Sequence, residues 1–299
     1  MLDVVIIGSG PAGITAAIYA KRANLNVAVV EKEYLGTGQI AESSRVDNYP
    51  GIPGIDGYSL GEKFREHAES LGVEFTEAQV LSLGQKDGIW IIGCDEDITL
   101  ESKAVIYATG CKNRPLGVPG EEKYYGRGLS FCAVCDGAFY KGKRVAVIGG
   151  GDTALDDAMY LSDICEKVYL VHRREFFRGS ASTLEKLKQK ENVEIIVNVR
   201  VEEITGDKKI DGIILDNKTK LNISGLFAAV GMIPQTELLK EFGVLDESNY
   251  VKASEDTKTI VNGLFAAGDV RTKQLRQVVT AAADGANAIY SVMEYLRNI

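Results

Sequence analysis

The chain has 299 residues, 45% of them hydrophobic and 25% charged, with a formal net charge of -8. Such values describe a globular chain long enough for two domains and exclude a disordered or fibrous one. The acidic balance argues against generic binding to nucleic acid or to an anionic membrane, because both repel a negative protein. Any basic site must be local.

The first residues, Met1-Leu2-Asp3-Val4, enter an apolar strand with no basic leader or cleavage site, and no apolar run approaches the length of a membrane span. A cytoplasmic location is therefore expected. Val4-Val5-Ile6-Ile7 is a continuous apolar run, as in a parallel strand covered on both faces, and it ends at Gly8-Ser9-Gly10-Pro11-Ala12-Gly13. A helix follows, with Ile14, Ala17 and Ile18 as its apolar stripe and Lys21 and Arg22 at its end. Asn24 stops it before a second strand, Val27-Ala28-Val29-Val30-Glu31. This is a βαβ unit with GxGxxG spacing. In such a unit Gly8 allows the turn, Gly10 lets a pyrophosphate approach, and Gly13 lets the helix pack on the strand. The helix N-terminus faces the phosphates, and Glu31 is placed to accept hydrogen bonds from a ribose.

Further on, Ala104-Val105-Ile106-Tyr107-Ala108-Thr109-Gly110 reads as a buried strand that closes the first domain. The next segment, 112–120, holds two prolines and two glycines and reads as a linker. Then comes Phe131-Cys132-Ala133-Val134-Cys135-Asp136-Gly137. Two cysteines this close can form a short disulfide, and a CxxC thiol at a helix start is commonly acidified, which is redox chemistry. Asp136 could exchange a proton with a thiolate as the disulfide opens. CxxC is also metal-ligand spacing, but the chain has no second CxxC, Cys94, Cys111 and Cys165 stand singly, and His67 and His172 are distant. No metal is expected, and those three cysteines read as buried free thiols.

The βαβ plan then recurs. Val145-Ala146-Val147-Ile148 runs into Gly149-Gly150-Gly151-Asp152-Thr153-Ala154, a helix through Ala158 and Leu161, and the strand Lys167-Val168-Tyr169-Leu170-Val171. Ala154 replaces the third glycine, as GxGxxA allows. Where the first unit has Glu31, the second has His172-Arg173-Arg174, with Arg178 beyond. Guanidinium groups bind a 2′-phosphate through charge-assisted, forked hydrogen bonds that a carboxylate would oppose. A solvated strand end could also carry arginines, but their offset from the glycine loop repeats that of Glu31. Hence the first site suits a free adenosine ribose and the second suits NADPH, with Asp152 expected to cap its helix.

Leu226-Phe227-Ala228-Ala229-Val230-Gly231 is the second unit's closing strand, and Gly263-Leu264-Phe265-Ala266-Ala267-Gly268-Asp269 is a third copy of that pattern. The recurrence implies a discontinuous first domain, 1–112 with 242–299, and a second, 113–241, inserted into it. The fold class expected is α/β, with two Rossmann-like dinucleotide-binding domains. A final helix from Ala281 to Leu296, rich in small residues, should pack back on the first unit.

Taken together, GSGPAG, the ATG strand, CAVCDG, GGGDTA, HRREFFR and GLFAAGDV resemble the low-molecular-weight bacterial thioredoxin reductases over nearly the whole chain. In that class of pyridine nucleotide-disulfide oxidoreductase the CxxC lies in the NADPH domain, as here. The resemblance implies FAD in the first site, NADPH in the second, a redox disulfide between Cys132 and Cys135, thioredoxin or a similar protein as acceptor, and a homodimer. It further implies that Cys135 faces the flavin, that Cys132 attacks the partner, and that Asp136 carries a proton. Position by position, FAD contacts are implied for Gly8, Ser9, Gly10, Pro11, Ala12, Gly13, Glu31, Gln39, Asn48, Ala108, Thr109, Gly110, Asp269, Arg276, Gln277 and Val278. NADPH contacts are expected of Gly149, Gly151, Asp152, Thr153, Ala154, His172, Arg173, Arg174 and Arg178.

Three positions depart from the family pattern: Thr37 stands for a common glycine, Val278 for alanine, and Ala138 for the first of two aromatics before Phe139. Because disulfide and nicotinamide site share one domain yet serve one flavin, the domain is expected to alternate between two poses, hinged near Pro115 to Gly120 and near Phe242. A flavin-dependent dithiol oxidase or a ferredoxin-linked reductase would share the CxxC but have little use for the arginines. A redox-sensing flavoprotein would keep the folds without turnover.

Overall fold

A computed structural model describes residues 1–33, 37–43 and 45–299. The chain forms two compact units, Met1–Lys112 with Ile233–Ile299, and Asn113–Met232. In the first, strand β1 (Leu2–Ile7), helix α1 (Pro11–Arg22) and strand β2 (Val27–Glu31) are followed by helix α2 (Gly57–Ser70) and strand β3 (Glu74–Glu77). Strands β4 (Val80–Lys86), β5 (Ile89–Cys94) and β6 (Thr99–Tyr107) come next, and the chain leaves through β7 (Cys111–Asn113). The sheet order is β3-β2-β1-β6-β5-β4, with β1, β2, β3 and β6 parallel and the β4-β5 hairpin antiparallel.

Alternation along β1 explains its unbroken apolar run. Val4 and Ile6 point into a core shared with α1, while Val5 and Ile7 point into one shared with Trp90 and Ile92 of β5. A strand buried on both faces has no polar side to show, and each such side chain contributes about 1.5–3 kcal/mol.

The second unit repeats the plan. It holds β8 (Leu129–Ser130), α3 (Ala133–Asp136), β9 (Arg144–Gly149), α4 (Asp152–Ser162), β10 (Lys167–His172), α5 (Ala181–Lys188) and β11 (Val193–Val197). A three-stranded antiparallel sheet, β12 (Val201–Thr205), β13 (Gly212–Leu215) and β14 (Lys220–Asn222), precedes β15 (Gly225–Ala229). The main sheet runs β11-β10-β9-β15-β8, all parallel. Val145 and Val147 face α4; Ala146 faces Ile213 and Leu215 of the antiparallel sheet.

The chain returns through β16 (Met232–Pro234), adds β17 (Leu264–Ala266) beside β6, and ends in α6 (Val278–Leu296). The return crossing lies at 232/233 and not at 241/242. Leu239 and Phe242 explain the difference: both are already packed in the first unit's core, Phe242 5.7 Å from the Trp90 ring. The segment expected to be a linker also differs. The amides of Leu116 and Val118 donate to Glu121 at 3.1 and 3.0 Å, Glu121 is 1% exposed, and Val118 is in the second unit's core. A buried carboxylate thus fastens 116–118 to that unit. The fold is α/β with two Rossmann-like units, the second inserted into the first. Among the described residues no helix is long and apolar enough to cross a membrane.

Candidate active site

In the first unit, the glycine loop joins β1 to α1. Gly8 has φ +102°, and a Cβ there would lie 2.5 Å from the Ala108 carbonyl oxygen, so only glycine serves. Gly13 packs against the Gly8 carbonyl, whereas among the described residues the nearest atom to a Cβ at Gly10, the Thr37 carbonyl oxygen, would be 3.9 Å away. Pro11 opens α1 and Ala12 is buried beneath it. Glu31, at the end of β2, accepts the Ser9 amide at 2.9 Å and the Ser9 hydroxyl at 3.1 Å, and the Lys32 amide on its other oxygen. These three donors fix the carboxylate on both of its oxygens.

Other expected residues gather in the same unit. Ala108 donates its amide to Ile7, Thr109 donates its hydroxyl to the Gln235 carbonyl at 2.7 Å, and Gly110 has φ +68°. Gln39 lies on a short 3-10 helix, Gly38–Glu42. Asn48 donates to Gln277 at 2.8 Å, joining two residues far apart in sequence. Gln277 caps α6 through a reciprocal bond with Thr280, which is why that helix begins at Val278 and not at Ala281. Val278 packs with Ile40 and Leu60. Arg276 donates to the Asp269 carbonyl at 3.3 Å and stacks over Tyr250 at 4.2 Å.

Asp269 itself is distinctive. Its Oδ1 is buried with no hydrogen-bond partner among the described residues, and burial pushes its carboxyl up against the pull of Lys273 and Arg276. Buried acceptors are normally satisfied, which sets this oxygen apart. Beside it lies a cluster that sequence reading missed. Asp284, on α6 and 3% exposed, accepts from the Gly268 amide at 2.9 Å, from Arg271 at 2.8 and 2.6 Å, and from Lys273 at 2.9 Å. Burial alone would raise its pKa, but the bonds from Arg271 and Lys273 outweigh it and the carboxyl sits below its ordinary value. A lone acid on an otherwise small and apolar helix face was the available signal. The small residues of α6 serve α1: a Cβ at Gly285 would lie 2.2 Å from the Ala12 carbonyl oxygen.

The second unit carries the cysteines. Cys132 and Cys135 form a disulfide with S–S 2.09 Å, at the start of α3. The Cys135 amide points at Cys132 Sγ, 3.2 Å away, where it can hold negative charge on that sulfur when the bond opens. Asp136 is held by the Ser130 hydroxyl at 2.6 Å, and burial raises its pKa over the lowering effect of that bond. Ser130 also positions the Cys132 amide at 3.1 Å, a double role no motif announced. Val134, 57% exposed, and Phe139, 41% exposed, put apolar surface at the disulfide. Cys94, Cys111 and Cys165 are buried free thiols, and burial pushes Cys111 up to about 12 and Cys165 to about 11.

At the second glycine loop, a Cβ at Gly149 would meet the Ala229 carbonyl oxygen at 2.4 Å and Ala154 Cβ at 2.7 Å, while Gly151 has open space around it among the described residues. Gly151 is the N-cap of α4, with Asp152 and Thr153 in its first turn. The expected cap by Asp152 is not made: its carboxylate accepts the Ser180 amide at 2.7 Å instead. His172 is 7% exposed, with Nε2 buried and lacking a partner among the described residues; burial, and then the charges of Arg173, Arg174 and Arg178, lower its pKa against a raising bond from the Phe176 backbone. The three arginines are exposed beyond it. Asp157, also on α4, was missed as well: burial and the charge of Asp156 push it up to about 7.

Residues 2–285 match the pyridine nucleotide-disulphide oxidoreductase family, and the chain belongs to it. It is 38% identical to a thioredoxin reductase of Bacillus subtilis over 99% of this chain and 95% of that one. It is 40% identical to a thioredoxin reductase of Helicobacter pylori over the full length of both. Among solved structures, thioredoxin reductase from Streptococcus pyogenes matches with a TM-score of 0.94 and 40% identity, over 100% of this chain and 99% of that one.

Proposed function

We propose that the chain is an NADPH-dependent flavoprotein disulfide reductase whose acceptor is thioredoxin or a thioredoxin-like protein. The observation that carries this reading is the Cys132–Cys135 disulfide with Asp136 held by Ser130, in one unit with a glycine loop whose second strand ends in arginines. In this reading 1–112 with 233–299 is the FAD domain and 113–232 the NADPH domain.

The chain's own residues fit both groups. The loop at Gly10, the Glu31 carboxylate and the Asp269 oxygen that has no partner among the described residues suit a dinucleotide with free hydroxyls, with Gln39, Asn48, Thr109, Arg276, Gln277 and Val278 completing the cradle. Open space at Gly151 and the exposed Arg173, Arg174 and Arg178 suit a pyrophosphate and a 2′-phosphate. Bound FAD would accept hydride from NADPH and deliver two electrons to the disulfide.

Reduction of the Cys132–Cys135 bond needs two electrons and two protons, and Asp136 is the group positioned to move one of those protons. Cys132, whose sulfur the Cys135 amide supports, attacks the partner's disulfide; Cys135 then displaces the partner and the internal disulfide re-forms. Exposed Val134 and Phe139 offer that partner an apolar surface. A homodimer and a cytoplasmic location belong to the same reading; exposed Tyr19 on α1 and Tyr290 on α6 supply apolar surface for the former.

The test is Cys132→Ser. It should leave anaerobic reduction of the bound flavin by NADPH intact and abolish turnover with oxidised thioredoxin. Turnover near the wild-type rate would reject the assignment.

A further inference from the structure

The loop that bears the arginines, 173–180, is fastened at both ends to structure within its own unit. At its start the His172 ring stacks on Phe177, centroids 4.9 Å apart at 35°. The same ring occupies the place a side chain at Gly150 would need, since a Cβ there would lie 2.2 Å from His172 Cε1. Further along, the amides of Arg178 and Gly179 both donate to the Gly150 carbonyl, at 2.7 and 3.2 Å. Gly179 comes so close that a Cβ would meet the Asp152 nitrogen at 2.8 Å. The last fastening is made by a side chain, Asp152, whose Oδ1 accepts the Ser180 amide at 2.7 Å. Ser180 in turn caps α5.

A carboxylate at this helix start is unfavourable to a nearby phosphate by charge alone, so its presence calls for a compensating role. The geometry supplies one. A loop whose backbone is already fixed spends less conformational entropy when its arginines close on an anion. We infer that Asp152 is a positioning residue for cofactor selectivity: by holding Ser180 it sets the Arg178 loop in the shape that receives a 2′-phosphate, without contacting the phosphate. This rests on the NADPH reading above and adds to it a residue that acts through its neighbour.

The test uses the full-length, FAD-loaded protein, titrated calorimetrically with adenosine 2′,5′-bisphosphate and with 5′-AMP. The ratio of the two dissociation constants isolates the 2′-phosphate. Asp152→Ala should lower the preference for the bisphosphate about fivefold to tenfold, the scale of one ordinary hydrogen bond, and should speed hydrogen exchange at the Ser180 amide. Asp152→Asn, which keeps the acceptor and removes the charge, should hold the ratio within about twofold of wild type. An unchanged ratio in the alanine variant overturns the inference, as does an asparagine variant that loses as much as alanine. A wild-type protein with no preference between the two ligands would instead remove the NADPH reading, and this inference with it.

Discussion

At the first glycine loop the end of β2 is tied back by Glu31, which accepts from Ser9; at the second, the end of β10 carries His172, Arg173 and Arg174, and the tie is made by Asp152 from the start of α4. Both loops thus use one carboxylate to fix the chain around the glycines. Its position differs. At the first loop the acid stands on the strand end. At the second it has moved to the helix, and the strand end is free to carry positive charge. On the proposed reading, the difference teaches that cofactor choice and loop rigidity are separable demands, met by the same residue in one unit and by different residues in the other.

The largest effect should come from reversing the charge of the second strand end. Arg173→Glu combined with Arg174→Glu removes two charge-assisted contacts worth about 1.5–3 kcal/mol each, so the preference for NADPH over NADH in kcat/KM should fall by about a hundredfold or more. A preference that survives would mean that the arginines are only a solvated strand end.

Next comes the anchor peculiar to α6. Asp284→Ala strands Arg271 and Lys273 in the interior and should cost about 3–5 kcal/mol of stability, measured by thermal unfolding. The folded pKa of Asp284 is lowered from 3.8, so its contribution is present above that value and lost as pH falls through the lower folded value. The gap between wild type and variant should therefore close in acid. A gap independent of pH would point to packing and not charge.

The smallest effect belongs to the first loop. Glu31→Gln keeps an acceptor for Ser9 but loses the charge, at a cost of about 1 kcal/mol, which should appear as roughly fivefold faster loss of flavin on dilution. An equal loss of NADPH affinity in that variant would break the division of labour between the loops.

What could be read from the sequence was what local pattern determines. The βαβ frames, the turn at Gly8, the close packing at Gly13 and the closeness of Cys132 to Cys135 follow from spacing within short segments, and the insertion of one unit in the other follows from the recurrence of a strand pattern. Partner choice over longer distances did not follow. Nothing local says that Asp152 turns to Ser180 and not to its own helix, or that Asp284 gathers Arg271, Lys273 and the Gly268 amide. Proline and glycine content made 112–120 look like a linker, because composition cannot register that Glu121 would be buried among its amides. The return crossing lies earlier than the strand pattern suggests for a related reason: Leu239 and Phe242 belong to the first core through contacts with distant residues such as Trp90.

The most direct measurement is an anaerobic titration of the purified, flavin-loaded protein with NADPH and, separately, with NADH, followed by counting of free thiols. The account predicts that NADPH bleaches the flavin far more readily than NADH and that the thiols of Cys132 and Cys135 appear together. A protein that takes up no flavin, or that is reduced equally well by both nucleotides, would contradict it.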